Sequence, residues 1–238
     1  MRVIKFIRYG FCMISLWAKS FKFNKIKKKF GEEEAFKYAQ KVFLNWSEDT
    51  LKIIGIEVEI HGKENIPNET CAFVGNHQSI LDIPVLKTAL HDKTIGFIAK
   101  KEALEYPILG FWIKNTNCVP LDRDNPREAI KVISKGAQYI KDGYNMVIFP
   151  EGTRSKDGQV HEFKKGSAKL ATKAKAPVVP FSIDGTSKCF EDNRSFKEGK
   201  VTIVFGKPVY TNEISKEEEK NLSAYLEERV KENLIKVN

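Results

Sequence analysis

The chain has 238 residues, of which 42% are hydrophobic, which is enough for one sizeable α/β domain with an appendage. Its four cysteines have no C-x-x-C spacing, which argues against a disulfide framework or a zinc site and fits a reducing compartment. The net charge is +9, and residues 1–29 alone contain nine lysines and arginines and no acid. Because the rest of the chain is balanced, no basic face for nucleic acid is expected.

The N-terminal arm is apolar as well as basic. Its polar side chains fall at helical spacing on one narrow face: Lys5, Arg8, Ser15, Lys19 and Lys22. Apolar side chains fill the rest of the helix, but the longest uncharged run, residues 9–18, is shorter than the about 20 residues that span a bilayer. We predict a helix in the membrane interface, with its bases at anionic headgroups. A helix docked on the protein's own core is the alternative.

Gly31 separates this helix from a second amphipathic segment, residues 35–54, in which apolar residues recur at intervals of three and four. Two such helices joined by a basic turn make a hairpin that can lie on a membrane. Packing against the main domain is the competing use of the second apolar stripe. We therefore divide the chain into a membrane-association hairpin, residues 1–54, and an α/β domain, residues 55–238.

After residue 54, short apolar segments alternate with helical patterns. Residues 57–60 alternate like an exposed edge strand. Five further segments have the composition of buried strands: residues 72–74, 95–98, 146–149, 178–181 and 201–205. Helical patterns are clearest at residues 127–141, 167–175 and 216–236. This alternation predicts an α/β fold with a mostly parallel central sheet flanked by helices.

Residues 76–82, with the sequence NHQSILD, directly follow the first buried strand. His77 therefore lies in a loop, and Ser79 or Asp82 can cap the helix that follows. On one continuous helix His77 and Asp82 would point about 140° apart, so they meet only if the chain turns between them. Such a turn would let Asp82 orient the imidazole and leave its other nitrogen as a general base. The alternative is a histidine with a structural role.

Residues 149–155, with the sequence FPEGTRS, follow another buried strand and bring an acid and a base to the same edge of the sheet. The guanidinium of Arg154 suits a phosphate group, because its planar fork makes bidentate charge-assisted hydrogen bonds. We expect Glu151 to hold Arg154 in place or to bind a substrate hydroxyl. A surface turn with an incidental ion pair is the alternative.

A base with its orienting acid, next to a phosphate-binding arginine, predicts deprotonation of a hydroxyl group on a phosphorylated substrate. The chain has neither a G-x-S-x-G nucleophile elbow nor a Walker loop. It also has no sequence cluster of metal ligands, so we expect neither a metal nor a cofactor.

The two segments resemble the N-H-x-x-x-x-D and F-P-E-G-T-R-S blocks of the glycerolipid acyltransferase family. Two weaker blocks follow in the expected order, one between residues 99 and 123 and one at residues 176–181. The sequence FKKG at residues 163–166 also fits this family. The resemblance covers residues 55–210, and four ordered blocks are specific.

Within the family, the blocks are most similar to those of bacterial 1-acylglycerol-3-phosphate acyltransferases. This resemblance implies that the free hydroxyl of lysophosphatidate attacks the thioester of acyl-CoA or acyl carrier protein, giving phosphatidate. It implies that His77 is the base and that Asp82 orients it. The substrate-binding residues that it implies are Lys100, Arg123, Glu151, Gly152, Thr153 and Arg154.

Lys100 and Arg123 would add positive charge near the phosphate or the developing oxyanion. The alternatives are a solvated lysine pair with Lys101 and an ion pair of Arg123 with its acidic neighbours.

The expected partners are lysophosphatidate in the membrane, acyl-CoA or acyl carrier protein as co-substrate, and an anionic membrane surface. The expected location is the cytoplasmic face of the cell membrane, as a peripheral or monotopic protein. Two other functions stay open. One is acyl transfer to glycerol-3-phosphate, another lysophospholipid or an ornithine lipid, and the other is non-catalytic membrane binding through the basic arm.

Overall fold

The computed structural model describes residues 2–122 and 125–235 and has an α/β fold. Within these residues there are eight α-helices: α1 (Arg2–Phe30), α2 (Glu32–Ile54), α3 (Asp82–Ala89), α4 (Pro107–Lys114), α5 (Pro126–Lys141), α6 (Lys169–Ala174), α7 (Thr186–Cys189) and α8 (Lys216–Ile235). The strands of the same residues are β1 (Ile56–His61), β2 (Ala72–Gly75), β3 (Ile95–Lys100), β4 (Val119–Leu121), β5 (Asn145–Ile148), β6 (Pro177–Asp184), β7 (Gly199–Phe205) and β8 (Val209–Tyr210).

The strands form one sheet in the order β1-β7-β6-β2-β5-β3-β4, with β8 paired to β6. Five of the strand pairs are parallel, and only the pairs of β6 with β7 and β8 are antiparallel. β1 pairs with β7 alone, which confirms the predicted edge strand. The predicted α/β fold with a mostly parallel sheet flanked by helices is therefore confirmed.

Helices cover both faces of the sheet. Successive residues of a strand point to opposite faces, so Phe73 and Val147 lie in one hydrophobic cluster and Val74 and Ile148 in another. The first cluster includes side chains of α2 and α3, and the second includes side chains of α5, α6 and α8. Both central strands β2 and β5 are buried over their whole length, which explains their continuous apolar composition.

Helix α2 uses its apolar stripe on the protein itself. Ala35, Ala39 and Val42 are buried, and Leu51 and Ile54 belong to the cluster that covers the sheet. The helix ends at Gly55, whose left-handed backbone (φ 83°) lets its N–H bond to the carbonyl of Leu51. The apolar stripe of α2 thus packs against the main domain, which was the alternative to membrane binding. Of the two helices, only α1 remains as the candidate membrane helix. The division at residue 54 stays a prediction.

Helix α1 is apolar on the side that faces solvent. Its exposed side chains include Val3, Ile4, Phe6, Ile7, Phe11, Ile14, Trp17 and Phe21. Only Leu16 and Phe23 are buried among the side chains described for α1, and they pack with α2 and with Trp112 of α4. α1 therefore packs one narrow face on the protein and leaves a wide apolar face exposed. None of the helices in the described part of the chain combines the length and the hydropathy needed to span a bilayer.

Lys5, one of the bases predicted to meet lipid headgroups, contacts the protein instead. Its Nζ donates a 2.6 Å hydrogen bond to the carbonyl of Ile54 and lies 3.2 Å from Glu198. This partly buried lysine satisfies a helix C-terminus within the protein itself, which corrects its predicted place at lipid headgroups.

Candidate active site

The pairing of β2 with β5 brings the two sequence blocks together. The strands are parallel, and Val74 lies opposite Ile148. The segments that follow them therefore emerge at the same edge of the sheet. We call residues 76–81 the histidine loop and residues 149–155 the arginine turn. This edge, at the carboxyl ends of the strands, is where α/β proteins usually bind ligands.

His77 and Asp82 form the predicted pair. Nδ1 of His77 lies 2.7 Å from Oδ2 of Asp82, because the histidine loop turns before α3 begins. The imidazole stacks on the ring of Phe149, with 4.0 Å between the ring centroids. Nε2 has no hydrogen-bond partner among the residues that the structure describes. With 13% of its side chain exposed, His77 is held on one side and reachable on the other.

Asp82 is completely buried, and every contact it makes fixes its orientation. Oδ2 also accepts hydrogen bonds from the backbone N–H groups of Gln78 at 2.7 Å and Ser79 at 2.9 Å. Oδ1 accepts a 2.5 Å hydrogen bond from the hydroxyl of Thr186, the first residue of α7. These donors compensate the free-energy cost of burying the carboxylate. Sequence reasoning missed Thr186, which lies 104 positions from Asp82.

Glu151 ties the arginine turn to the histidine loop. Its buried carboxylate accepts the backbone N–H of His77 at 2.9 Å and that of His161 at 3.2 Å. Burial raises the pKa of Glu151 above its ordinary value, and the two backbone N–H groups oppose that rise. The carbonyl of His77 in turn accepts the N–H of Ser155 at 2.8 Å. The backbone of His77 is thus fixed through both its N–H and its carbonyl group.

Arg154 is held by a residue that the sequence did not point to. Its Nη1 lies 2.6 Å from Oε1 of Glu191, in the loop after α7. The expectation that Glu151 holds Arg154 is therefore wrong, because the carboxylate of Glu151 is used by backbone N–H groups. Arg154 is 48% exposed, so the rest of its guanidinium faces the open edge of the sheet.

Gly152 and Thr153 form the tip of the arginine turn. Gly152 has a φ of 74°, and a side chain there would meet Nζ of Lys164 at 2.7 Å. Lys164 therefore lies directly over the backbone of the turn. In the part of the chain that the structure describes, no carboxylate is within ion-pair distance of this ammonium. Lys164 is a second cation of the site, and the sequence FKKG was the only signal for it.

Two further cations, Lys100 and Arg123, were predicted for the site. Lys100 is the last residue of β3, is half exposed and lies 3.1 Å from Glu102. Its role as a substrate ligand stays a prediction. Arg123 lies outside the described residues. Residues 2–122 and 125–235 contain no group of three His, Cys, Asp or Glu side chains that could hold a metal ion.

The arrangement can perform one kind of chemistry directly. A carboxylate holds Nδ1 of an imidazole, so the lone pair of Nε2 can take the proton of a hydroxyl group. Arg154 of the neighbouring turn, with Lys164 beside it, can hold a phosphate on the same substrate. The required parts come from β2, β5 and the segment after β6, which are adjacent in the sheet.

Comparisons with known proteins agree with this geometry. The sequence model described as Acyltransferase matches residues 57–184, which include the histidine loop and the arginine turn. The crystal structure of the 1-acyl-sn-glycerophosphate (LPA) acyltransferase from Thermotoga maritima has a TM-score of 0.84 and 31% sequence identity. That similarity covers 99% of this chain and 95% of the other.

Curated proteins give the same result over a shorter stretch. A chloroplastic 1-acyl-sn-glycerol-3-phosphate acyltransferase of Brassica napus is 35% identical over 158 residues, which are 65% of this chain and 45% of that protein. A probable 1-acyl-sn-glycerol-3-phosphate acyltransferase of Mycoplasma pneumoniae is 34% identical, over 67% of this chain and 64% of that protein. The matched region thus spans about half the length of the plant relative. The chain belongs to the acyltransferase family.

Proposed function

We propose that this protein transfers a fatty acyl group from an acyl thioester to the free hydroxyl of 1-acylglycerol-3-phosphate, giving phosphatidic acid. The observation that carries the proposal is the hydrogen-bonded His77–Asp82 pair, which Glu151 connects to the turn that presents Arg154. The names of the related proteins support lysophosphatidate as the acceptor. The thioester is that of acyl-CoA or of acyl carrier protein.

In this reaction His77 acts as the general base. Nε2 takes the proton as the hydroxyl oxygen attacks the thioester carbonyl, and Asp82 stabilises the imidazolium through Nδ1. The tetrahedral intermediate then collapses, the carbon–sulfur bond breaks, and the imidazolium returns the proton to the leaving thiolate. The products are an ester and a free thiol, and no cofactor takes part.

The phosphate of the acceptor binds at the arginine turn. Arg154 supplies the bidentate donors, and the backbone of Gly152 and Thr153 is a further candidate contact beside Nζ of Lys164. Lys164 adds a second positive charge. Lys100 and Arg123 are further candidate ligands of the acceptor.

The exposed apolar face of α1 supports the proposal that this chemistry takes place at a membrane. Phe11, Ile14 and Trp17 would enter the headgroup region, while the lysines at the end of α1 face anionic lipid. Both lipids could then move between bilayer and site without crossing water. We propose a peripheral or monotopic protein at the cytoplasmic face of the cell membrane.

Acyl transfer in liposomes tests the function. Purified protein is given lysophosphatidate with a long-chain acyl-CoA or with acyl carrier protein, and His77→Ala and Arg154→Ala are measured in parallel. We expect phosphatidate from the wild type, no measurable turnover from His77→Ala and a raised acceptor KM in Arg154→Ala. Glycerol-3-phosphate and other lysophospholipids are included as acceptors. Turnover with one of these, and none with lysophosphatidate, would contradict the proposal.

A further inference from the structure

Glu191 joins the two halves of the site from a third element. It lies in the loop after α7, outside both segments that suggested the chemistry. Its Oε1 accepts a hydrogen bond from Nη1 of Arg154 at 2.6 Å, from the backbone N–H of Ile80 at 3.0 Å and from the hydroxyl of Ser79 at 3.3 Å. One carboxylate oxygen therefore connects the side chain of the arginine turn to the backbone of the histidine loop.

Arg154 needs support of this kind. Its side chain is half exposed, and an unrestrained arginine has many rotamers that must be given up when it binds a phosphate. A guanidinium that is already held in one orientation loses less freedom on binding. The contact with Glu191 supplies that restraint before the substrate arrives.

The contact leaves most of the guanidinium available. A guanidinium has five N–H donors in a planar fork, and Glu191 contacts Nη1. Nε and Nη2 of Arg154 have no hydrogen-bond partner in the described ranges of the chain. The charge of Glu191 is compensated by Arg154 and two further donors, which reduces its repulsion of an incoming phosphate.

We propose that Glu191 is a positioning residue, which holds Arg154 by Nη1 so that the remaining edge of the guanidinium binds the phosphate of the acceptor beside His77. This inference rests on the proposed function, since it names the residue that prepares the same phosphate site. Glu191 also sets the distance between phosphate and base, because it bonds to the histidine loop.

A double-mutant cycle tests the proposal. Glu191→Ala, Arg154→Ala and the double variant are compared for acceptor KM, for kcat and for affinity to lysophosphatidate in detergent micelles. We expect Glu191→Ala to raise the acceptor KM roughly tenfold, as for the ordering of one rotamer-rich side chain on binding, with a smaller effect on kcat. In the Arg154→Ala background the same substitution should raise KM no further, because its target is gone.

Two further variants separate positioning from folding. Glu191→Gln keeps the oxygen that accepts all three hydrogen bonds, so it should recover most of the affinity. Asp192→Ala removes the adjacent exposed acid and should behave as the wild type.

The proposal is overturned if Glu191→Ala leaves KM unchanged, if its effect is the same with and without Arg154, or if Glu191→Gln is no better than Glu191→Ala. A wild type that makes no phosphatidate would instead reject the proposed function. In that case the affinities of the same variants for lysophosphatidate in micelles still decide the role of Glu191. A wild type that does not bind lysophosphatidate in micelles would reject the positioning role of Glu191 as well.

Discussion

Oγ1 of Thr186 donates a 2.5 Å hydrogen bond to Oδ1 of Asp82, the carboxylate oxygen that His77 does not contact. The two residues lie 104 positions apart, and both are completely buried. Asp82 is therefore held from both sides, by the imidazole and backbone of its own loop and by a hydroxyl from the segment after β6. This hydrogen bond fixes the plane of the carboxylate that orients the base.

We expect Thr186→Val to lower kcat roughly tenfold, because a buried carboxylate oxygen without its donor disturbs the Asp82–His77 contact at a cost of about 1–3 kcal/mol. The acceptor KM should change little, since no hydrogen bond joins Thr186 to the arginine turn among the described residues. Steady-state kinetics of the purified variant measure both values. Thr186→Ser keeps the hydroxyl and is the control. If Thr186→Ser loses as much activity as Thr186→Val, the effect comes from packing and not from the hydrogen bond.

Glu151→Gln should lower kcat by a comparable factor for a different reason. The carboxylate of Glu151 accepts two backbone N–H groups, one on each oxygen, and an amide can replace only one of those oxygens. The NH₂ group would face the N–H of His77 or of His161, so one of the two contacts that fix this backbone is lost. Thermal unfolding and kcat are measured together with Glu162→Gln, an exposed neighbour. If Glu151→Gln and Glu162→Gln lose the same amount of kcat and of thermal stability, the buried contacts of Glu151 are not the cause of the loss.

The sequence predicted the parts of the site that follow directly from strand ends. His77 and Asp82 lie on either side of one strand-loop-helix junction, and Arg154 lies just after the next central strand. Whether these residues lie close together then depends only on the parallel pairing of β2 with β5. Thr186 and Glu191 could not be found in this way, because they reach the site from a loop after β6 and no local pattern marks either residue.

The two shortest strands also could not be predicted from the sequence. β4 and β8 have three and two residues, too few to show any periodicity. The roles of the amphipathic helices also needed the structure, because an apolar stripe does not identify what covers it. α2 turned its stripe to the sheet, whereas α1 left most of its apolar residues exposed.

Lys164→Met should raise the acceptor KM several-fold and leave kcat close to that of the wild type. Its ammonium lies over the backbone of Gly152, where a phosphate held by Arg154 would be within reach. Lys165→Met makes the same charge change at the next exposed residue and is the matched control. A KM that rises equally in both variants would indicate a general effect of surface charge, and an unchanged KM in Lys164→Met would remove this lysine from the site.

The exposed face of α1 can be tested without disturbing the site. We expect the triple variant Phe11→Gln, Ile14→Gln, Trp17→Gln to lose at least tenfold in affinity for liposomes that contain anionic lipid. Each partly exposed apolar side chain contributes about 1 kcal/mol or more when it leaves water. Liposome co-sedimentation measures the affinity. Ile130→Gln, which replaces an exposed apolar residue of α5, is the control. Equal losses in both variants would contradict a membrane contact confined to α1.

Lys87 provides a prediction about stability. Its side chain is 2% exposed, under α2, and its ammonium contacts the carbonyl of Lys93 at 3.0 Å and Oε1 of Gln40 at 3.3 Å. No carboxylate pairs with it in the described residues. Burial lowers the pKa of Lys87 from 10.5 to about 8. The unfolded chain therefore binds more protons than the folded chain between these pH values, and the free energy of unfolding rises with pH there.

The penalty for burying this charge is complete below about pH 8 and absent above the pKa of the unfolded state. Lys87→Met removes it at every pH. The wild type should therefore gain up to roughly 3 kcal/mol relative to Lys87→Met between pH 7 and pH 10.5, as a shift of this size implies. Denaturant unfolding at a series of pH values measures the difference. Lys131→Met, an exposed lysine of α5, should show no such trend. A difference between wild type and Lys87→Met that stays constant with pH would mean that Lys87 keeps its ordinary pKa in the folded protein.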